Sequence, residues 1–451
     1  MDLQKLNKNR ILIKEVFKSS KKDVEIVGWV HQTRGLGKIR FLLLRDISGV
    51  IQVTGIKGKI KDEIFKIIDN LTRESVIYVK GAVVDSRQAP DGKEIIPEKI
   101  EVLAVAEELP IDVSDFSKTE LPKRLDYRFL DLHRKRTQAI FKIQSTVGVS
   151  FKEYFVNKNF IDVHLPSLIS NSSEGGTDLF EAKYFEKKAY LAQSPQLYKQ
   201  MLACSVEKVV TITPVWRAEK HNTVRHLNEC RQMDIEMAFA DAMIVMKEME
   251  GAVKYIVEQV IKKNKEELDL LDVKLKVPNA KYMTFKETND LLKKNKIKTN
   301  EKDLTGEGER KLGELFPDTI VFVYDWPLVG KPFYIMPKQG QESLRTSPKR
   351  GQSKEEKADV ELSEGFDAIY KGMEISSGGQ RIHIPDLLEK RLKANKLNPK
   401  DFKDYIDSFR FGAPPHAGWS IGIERFTHTL LELPNVREAC LFPRDRDRLT
   451  P

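Results

Sequence analysis

Short runs of β-forming residues fill the first 105 residues of the chain. Val- and Ile-rich runs separated by Gly-containing turns predict five strands, at 25–32, 39–46, 50–55, 76–85 and 98–105. A helical pattern, EIFKIIDNLTRE, lies between the third and fourth runs. Five strands with one helix after the third are typical of the OB-type barrel, which binds single-stranded nucleic acid. A barrel with an unrelated role fits the same pattern.

The pattern changes after residue 105. Residues 106–134 contain Pro110, Pro122 and dense charge, which predict a linker. Apolar residues at helical spacing then predict a long helix over 135–157.

Helices and strands alternate from there to the end, without an internal repeat. Residues 337–364 have almost no apolar content, so we expect a mobile polar loop there. The expected parts are a barrel domain at 1–105, a hinge at 106–134 and a large domain at 135–451.

Composition narrows the class of protein. Apolar residues make up 40% of the 451 residues, enough for a core, and no run approaches the roughly 18 apolar residues of a spanning helix. The first twenty residues lack the apolar stretch of a signal peptide. The three cysteines are far apart and one would be left over, which favours a reducing compartment, and we expect the cytoplasm. The net charge of +9 suits a polyanionic partner, but a lysine-rich solvated surface explains it equally well.

One group of charged residues follows the apolar run KVVTITPVW. Arg217 and Glu219 are two apart, so on a strand they share a face, and Arg225 follows after a polar turn. Paired arginines around a loop suit a polyphosphate, because guanidinium binds phosphate bidentately and keeps its charge. An ordinary salt-bridged hairpin is the alternative.

A second group lies in FDAIYKGMEISSGGQRIH. Asp367, Glu374 and Ser377 offer hard oxygen ligands that suit magnesium held jointly with phosphates, and Arg381 follows. The alternative is that these residues lie on an ordinary pair of solvent-exposed strands.

Two further segments carry polar side chains near apolar strands. GAPPHAGWSIGIERF places Gly422 and Arg425 where a helix N-terminus supports an anion, yet neither a P-loop nor a Rossmann fingerprint is present. AYLAQSPQLYKQ places Lys199 in a polar run, and with Glu174 it would bind both ends of a zwitterion.

Taken in this order, these segments resemble the class II aminoacyl-tRNA synthetases, most closely the archaeal and eukaryotic type of aspartyl-tRNA synthetase. The similarity covers nearly the whole chain. The three motifs are the helix leading into FIDVHLPSL with Pro166, then VWRAEKHNTVRHLNE, and then GWSIGIERF. The resemblance implies an α+β protein with an N-terminal OB-fold barrel and a catalytic antiparallel sheet flanked by helices. It also implies a homodimer that uses ATP and Mg²⁺ to form aspartyl-adenylate and charge tRNA-Asp.

The resemblance assigns roles to individual residues. Arg217 and Arg425 are implied as catalytic, Arg217 at the α-phosphate of ATP. Residues implied to bind ATP are Arg217, Glu219, Arg225, His226, Glu374, Gly422 and Arg425. The magnesium ligands would be Asp367, Glu374 and Ser377.

Aspartate would be bound by Glu174, Ser194, Gln196, Lys199, Asp234, Ser377 and Arg381. Among these, Arg381 and Lys199 would hold the side-chain carboxylate. Two cations in a closed pocket suit a carboxylate better than the amide of asparagine.

In the barrel, the resemblance implies an anticodon surface. Phe41 matches an aromatic that stacks on a base, and Gln52 and Glu94 match hydrogen-bonding readers. His31 stands where strictly tRNA-Asp-specific archaeal relatives often have Trp, and Pro90 resembles relatives with relaxed specificity, so we expect tRNA-Asn to be charged as well. Cys230 stands near an aromatic position of many relatives, so no adenine stacking is assigned to it.

Other functions were weighed against this one. An asparaginyl-tRNA synthetase resembles the chain but generally lacks the lysine of QSPQLYKQ. A nucleic-acid-binding paralogue without catalysis predicts lost ATP residues, and here they remain. A relative that makes asparagine would not need the barrel with Phe41.

Overall fold

The computed structural model of this protein describes residues 3–171, 179–220, 223–338 and 361–451. The chain forms two compact units, Met1–Asp112 and Val113–Pro451. In the described ranges, no helix combines the length and apolar character needed to cross a membrane.

The first unit is a closed five-stranded barrel. Its strands are β1 (Asp23–Leu36), β2 (Ile39–Arg45), β3 (Val50–Ile56), β4 (Val76–Asp85) and β5 (Lys93–Ala104), in the order β1-β2-β3-β5-β4. Side chains that alternate along these strands, such as Ile26, Leu42 and Val53, are fully buried inside the barrel. Helix α3 (Asp62–Asn70) follows β3, as the sequence predicts.

Two short helices, α1 (Leu3–Asn9) and α2 (Ile13–Lys18), precede the barrel, and the sequence analysis does not predict them. Helix α2 is fixed by the Ile13 N–H, which donates to Asp46 Oδ2 at 2.9 Å, and by the burial of Ile13 and Val16. This contact spans 33 residues and leaves no local signal in the sequence.

The second unit contains the other helices and strands that the structure describes. Its helices are α4 (Leu121–Asp126), α5 (Arg128–Asp131), α6 (Lys135–Val156), α7 (Gln196–Val206), α8 (Ala242–Lys263), α9 (Lys265–Leu271), α10 (Phe285–Lys294), α11 (Gly306–Leu315), α12 (Pro385–Ala394), α13 (Lys403–Arg410) and α14 (Ile423–Leu430). Its strands are β6 (Ile161–Asp162), β7 (Leu168–Ile169), β8 (Glu181–Tyr184), β9 (Lys187–Leu191), β10 (Lys208–Trp216), β11 (Glu229–Ala238), β12 (Asn279–Thr284), β13 (Thr319–Tyr324), β14 (Gly365–Tyr370), β15 (Met373–Gln380) and β16 (His416–Gly422).

Eight of these strands form one sheet, in the order β12-β13-β14-β15-β16-β11-β10-β6. The six inner strands pair antiparallel, as expected, but the two edge pairs, β12 with β13 and β10 with β6, are parallel. The sheet is therefore mixed, and each edge strand is joined to its parallel neighbour by a crossover segment that contains at least one helix. A separate small sheet has the order β7-β9-β8.

The long helices α6 and α8 cover one face of the large sheet. Met233, Ile235 and Met237 of β11 point into this core, which also contains Phe151 and Trp419. Since neighbouring residues on a strand face opposite sides, Gln232, Asp234 and Glu236 point to the other face. That second face carries the candidate site.

The structure differs from the sequence expectation in two connecting segments. The second unit begins at Val113, and Arg128 and Asp131 are fully buried in it, so 113–134 is a packed segment and not an exposed linker. At the predicted polar loop, Pro337 pairs with Ser363 in an antiparallel bridge, which fixes both ends of 337–364. Residues 339–360 lie outside the described residues.

Candidate active site

A cavity opens on the free face of the sheet, between the loop after β10, the strands β11, β15 and β16, and the start of α14. The seven residues that the sequence analysis assigns to ATP all line this cavity: Arg217, Glu219, Arg225, His226, Glu374, Gly422 and Arg425. Ser377, one of the predicted magnesium ligands, lines it as well. Residues as far apart in sequence as Arg217 and Arg425 thus meet at one site.

The loop between β10 and β11 is shaped by hydrogen bonds to its own main chain. Asn228 Nδ2 donates to the carbonyls of Arg217 and Glu219, at 2.6 and 2.9 Å. These bonds hold the end of β10, so both side chains remain on the cavity wall. Arg225 lies 3.8 Å from Glu309, a residue of α11.

Buried carboxylates lie beside the arginines. Burial, together with the nearby charge of Asp367, raises the pKa of Glu374 to about 7, although the positive charge of Arg425 lowers that pKa in part. Arg425 also donates to the main-chain carbonyl of Glu374 at 3.4 Å. Asp367 is opposite Ser377 in the register of β14 and β15, and Lys331 donates to its Oδ2 at 2.8 Å. The predicted metal ligands are therefore neighbours, and one of them is already paired with a cation.

Four charged side chains form a buried cluster deeper under the same face. Lys199 donates to Asp234 Oδ1 at 2.8 Å and to the carbonyl of Trp419 at 3.2 Å, and lies 3.5 Å from Glu236. Arg381 donates from Nε and Nη2 to the two carboxylate oxygens of Glu236, at 2.9 and 3.2 Å. Each of these four residues is at most 2% exposed. Within the described residues this leaves Nη1 of Arg381 for a ligand.

The formal charges of this cluster sum to zero. Burial by itself raises the pKa of Glu236, but Arg381 and Lys199 outweigh burial and hold that pKa below its ordinary value. Glu236 therefore stays ionised between the two cations. Two uncompensated cations were expected to favour a carboxylate substrate, and the structure corrects this expectation, because Asp234 and Glu236 already compensate Lys199 and Arg381.

Glycine is required where β16 crosses this cluster. A Cβ atom at Gly418 would lie 2.2 Å from Glu236 Oε2. The missing side chain makes room for the buried carboxylate.

Other predicted aspartate ligands lie close in sequence to Lys199. Ser194 and Gln196 are buried at the start of α7, where Ser194 Oγ accepts from the Gln196 N–H at 3.3 Å. Glu174 lies outside the described residues.

Some buried polar atoms near the site lack a hydrogen-bond partner among the described residues. Gln196 Nε2 is one, and Gln232 Oε1 and Ser376 Oγ on the cavity wall are two more. Because unpaired buried polar atoms are costly, a polar ligand or water is the natural partner for them.

Sequence reasoning missed several charged residues of the site. Glu236 alternates with Asp234 on a strand, so period-two spacing would have placed both carboxylates on one face. Glu424 lines the same cavity as the predicted ATP residues, and burial raises its pKa to about 7. Glu309 and Lys331 come from distant elements, and only the tertiary structure brings them here.

The outer face of the barrel gathers three of the five predicted anticodon residues. Phe41 pairs with Thr54, and Gln52 with Glu94, in the strand register. Glu94 Oε2 accepts from Gln52 Nε2 at 2.7 Å and from Thr54 Oγ1 at 2.6 Å. The sequence analysis did not single out Thr54.

The other two predicted anticodon residues lie in irregular parts of the barrel. His31 is at a bulge of β1, and its Nδ1 is 3.4 Å from Arg45 Nη1. Arg45 is itself paired with Glu74 in a buried salt bridge. Pro90 is exposed at the start of a short 3₁₀ turn between β4 and β5.

Two family profiles match this chain. The profile of tRNA synthetases class II (D, K and N) matches residues 120–446, and that of the OB-fold nucleic acid binding domain matches residues 24–103.

Full-length relatives are similar along almost the entire chain. The aspartate–tRNA(Asp/Asn) ligase of Methanopyrus kandleri is 43% identical over 435 residues, which cover 95% of this chain and 96% of the relative. The aspartate–tRNA(Asp) ligase of Thermococcus kodakarensis is 43% identical over 439 residues, with coverage of 95% and 96%. The crystal structure of asparaginyl-tRNA synthetase from Pyrococcus horikoshii with asparaginyl-adenylate has a TM-score of 0.89 and 33% identity, covering 98% of this chain and 99% of that one.

Proposed function

The chain belongs to the class II tRNA synthetases (D, K and N), and from this premise we propose that it joins L-aspartate to tRNA-Asp in an ATP-dependent reaction. One observation carries the proposal: the predicted ATP residues line one cavity, and the buried cluster of Lys199 and Arg381 lies under the same face of the sheet. The full-length relatives that are named aspartate–tRNA ligases support the choice of amino acid.

The first step forms aspartyl-adenylate. An oxygen of the aspartate α-carboxylate attacks the α-phosphorus of ATP, and the bond to the bridging oxygen breaks, so pyrophosphate leaves. Arg217 stabilises charge on the α-phosphate, and Arg225 and Arg425 hold the β- and γ-phosphates. Glu219 accepts from the adenine amino group, while His226 and Gly422 complete the nucleotide site. No protein nucleophile is needed, since positioning and charge stabilisation suffice.

In the second step, a hydroxyl oxygen of the terminal tRNA ribose attacks the aspartyl carbonyl carbon. We place this attack at the 3′-hydroxyl. AMP leaves, its phosphate takes up the hydroxyl proton, and the new ester is aspartyl-tRNA.

The donor set at Glu374 fits a magnesium ion. The like charges of Asp367 and Glu374 are close enough for one to raise the pKa of the other, and a divalent cation relieves this repulsion. Asp367, Glu374 and Ser377 would hold the ion, which neutralises phosphate charge when bound. Removal of divalent ions with a chelator should abolish adenylate formation, and added Mg²⁺ should restore it.

Aspartate binds in the buried cluster. Arg381 offers Nη1 to the side-chain carboxylate, and Lys199, bound to Asp234 and 3.5 Å from Glu236, offsets the negative charge of those two carboxylates. Ser194, Gln196 and Ser377 line the remaining polar surface, and Gln196 Nε2 still has a hydrogen bond to give. Glu174 is proposed to bind the ammonium group together with Asp234.

The barrel binds the anticodon through Phe41, Gln52 and Glu94. We further propose, from His31 and Pro90, that tRNA-Asn is aspartylated as well. Charging assays with both transcripts test this proposal. Negligible aspartylation of tRNA-Asn would contradict relaxed specificity, and the proposed charging of tRNA-Asp would be unaffected.

Activation of asparagine is the second candidate. The likeness to a solved asparaginyl enzyme and the neutral net charge of the buried cluster both favour it. We prefer aspartate because the more similar full-length relatives carry that name, and because an ionised partner gains more from the Arg381 guanidinium than an amide does.

The proposed assembly is a cytoplasmic homodimer. Apolar side chains are exposed on α6 and just beyond it, with Val149 60%, Val156 48% and Ile161 50% exposed. Strand β6, which contains Ile161, is an edge of the large sheet, and uncovered edges and apolar patches are typical of interfaces. Light scattering should give twice the chain mass of 51.9 kDa.

A further inference from the structure

The loop that carries the proposed ATP ligands is organised by one threonine. Thr223 Oγ1 accepts from the Arg225 N–H at 3.2 Å and lies 2.6 Å from His226 Nδ1. The directions in which Arg225 and His226 leave the loop therefore depend on where Thr223 is held.

Thr223 is held by a turn near the C-terminus. Arg437 Nη1 donates to the Thr223 carbonyl at 3.0 Å, while Arg437 Nε donates to Asp445 Oδ2 at 2.5 Å. A main-chain bond lies alongside, from the Val436 N–H to the Val224 carbonyl at 2.9 Å. The planar guanidinium serves both acceptors at once, which an ammonium group cannot do with the same geometry.

This turn is itself fixed from beneath by Arg128, which is fully buried. Its guanidinium donates to four main-chain carbonyls of the turn at 2.6 to 3.2 Å, those of Arg437, Glu438, Cys440 and Leu441. Asp131 Oδ2 accepts from Nη1 at 2.7 Å and compensates the charge. All three nitrogens of Arg128 are hydrogen-bonded, so the position of Arg437 is set by a rigid base.

A second connection reaches the far end of the same loop. The Asn228 N–H donates to the Arg444 carbonyl at 2.8 Å, and Glu229 forms an antiparallel bridge with Arg444. The C-terminal segment is thus hydrogen-bonded to the loop on both sides of Arg225 and His226, at Thr223 and Val224 and again at Asn228.

We propose that Arg437 is a positioning residue for ATP, which holds Thr223 so that Arg225 and His226 meet the triphosphate. The inference rests on the proposed role of this loop in binding ATP. Val436 lines the ATP cavity and Arg437 does not, among the described residues, so Arg437 acts through the loop and not by contact with ATP.

The test compares Arg437→Gln with Arg437→Lys in aspartate-dependent pyrophosphate exchange. Loss of a charge-assisted bond should raise the KM for ATP about tenfold in Arg437→Gln. The KM for aspartate should stay within about twofold, because the described hydrogen bonds of Lys199 and Arg381 go to Asp234, Glu236 and the Trp419 carbonyl and not to this turn. Arg437→Lys keeps the charge and should recover part of the ATP affinity.

Arg410→Gln is the matched control. Arg410 is an exposed arginine of α13 whose guanidinium pairs with Glu389 of α12 and lies 3.5 Å from Asp407, and it is not among the described residues that line the ATP cavity. This variant should keep the KM for ATP of the unaltered protein.

Thr223→Val covers the case in which Arg437→Gln fails to fold. Thr223 is exposed, and its replacement removes Oγ1 from Arg225 and His226, so the same selective rise in the KM for ATP is expected. Unchanged ATP affinity in both folded variants, or an equal rise for both substrates, overturns the positioning role. Absence of exchange in the unaltered protein would instead overturn the proposed function, and equilibrium binding of ATP would still decide the role of Arg437.

Discussion

The pair of Arg381 and Glu236 allows stability and substrate binding to be separated. The two side chains are 2% and 0% exposed and are joined by two hydrogen bonds of 2.9 and 3.2 Å. Replacing Arg381 by Met leaves the Glu236 carboxylate buried, with the Lys199 ammonium 3.5 Å away as its remaining cation. Breaking a buried ion pair costs about 3–5 kcal/mol, and Lys199 should keep the loss near the lower end, about 3 kcal/mol.

A second substitution should restore most of this stability. In Arg381→Met/Glu236→Gln neither buried charge is left alone, because Lys199 keeps its bond to Asp234 at 2.8 Å. Replacing both partners of a buried pair is often close to neutral, so the double variant should recover about 2 kcal/mol relative to Arg381→Met. Urea unfolding of the unaltered protein and of the two single variants and the double variant measures this coupling.

Aspartate binding should not be restored with stability. The double variant still lacks the guanidinium, so aspartate-dependent pyrophosphate exchange should remain lost while ATP binding by calorimetry persists. A double variant no more stable than Arg381→Met would refute the electrostatic account of the cluster. Near-normal exchange in a folded Arg381→Met protein would refute the role of Arg381 in binding aspartate.

Three shorter predictions test other parts of the structure. Burial raises the pKa of Glu424 from 4.5 to about 7. The protonated side chain therefore stabilises the folded state below pH 4.5, and this stabilisation is lost as the pH rises towards 7 and the buried carboxyl group ionises. Glu424→Gln should raise the Tm at about pH 8 and leave it unchanged at about pH 4.5. Phe41→Ala should weaken tRNA charging by about tenfold or more through lost base stacking while adenylate formation persists, and an equal loss of both would contradict the separate role of the barrel. Burial raises the pKa values of Cys204, Cys230 and Cys440 to between about 11 and 12, so maleimide should label them far more slowly at about pH 7.5 in the folded protein than in denaturant.

Features with a local signal were predictable from the sequence. Runs of β-forming residues between turns predict the barrel strands, and apolar residues at helical spacing predict α6. The residues proposed to bind ATP were singled out because each lies in a recognisable motif, and the fold brings those motifs to one cavity.

Features that depend on distant contacts were not predictable. Glu236 is a partner of Arg381 only because β11 and the end of β15 lie on either side of β16, so that side chains 145 residues apart in sequence meet on one face of the sheet. Arg128 was assigned to a linker because its neighbours are charged, yet the carbonyls that satisfy it come from residues more than 300 positions later. In both cases the partner, and not the residue itself, determines the role.

Pyrophosphate exchange with aspartate, asparagine and lysine, each offered separately with ATP and Mg²⁺, tests the central proposal most directly. The account predicts exchange with aspartate, much weaker exchange with asparagine and none with lysine, whose ammonium would face Arg381. Preferential exchange with asparagine, or no exchange with any of the three, would contradict the assignment of the buried cluster to the aspartate side chain.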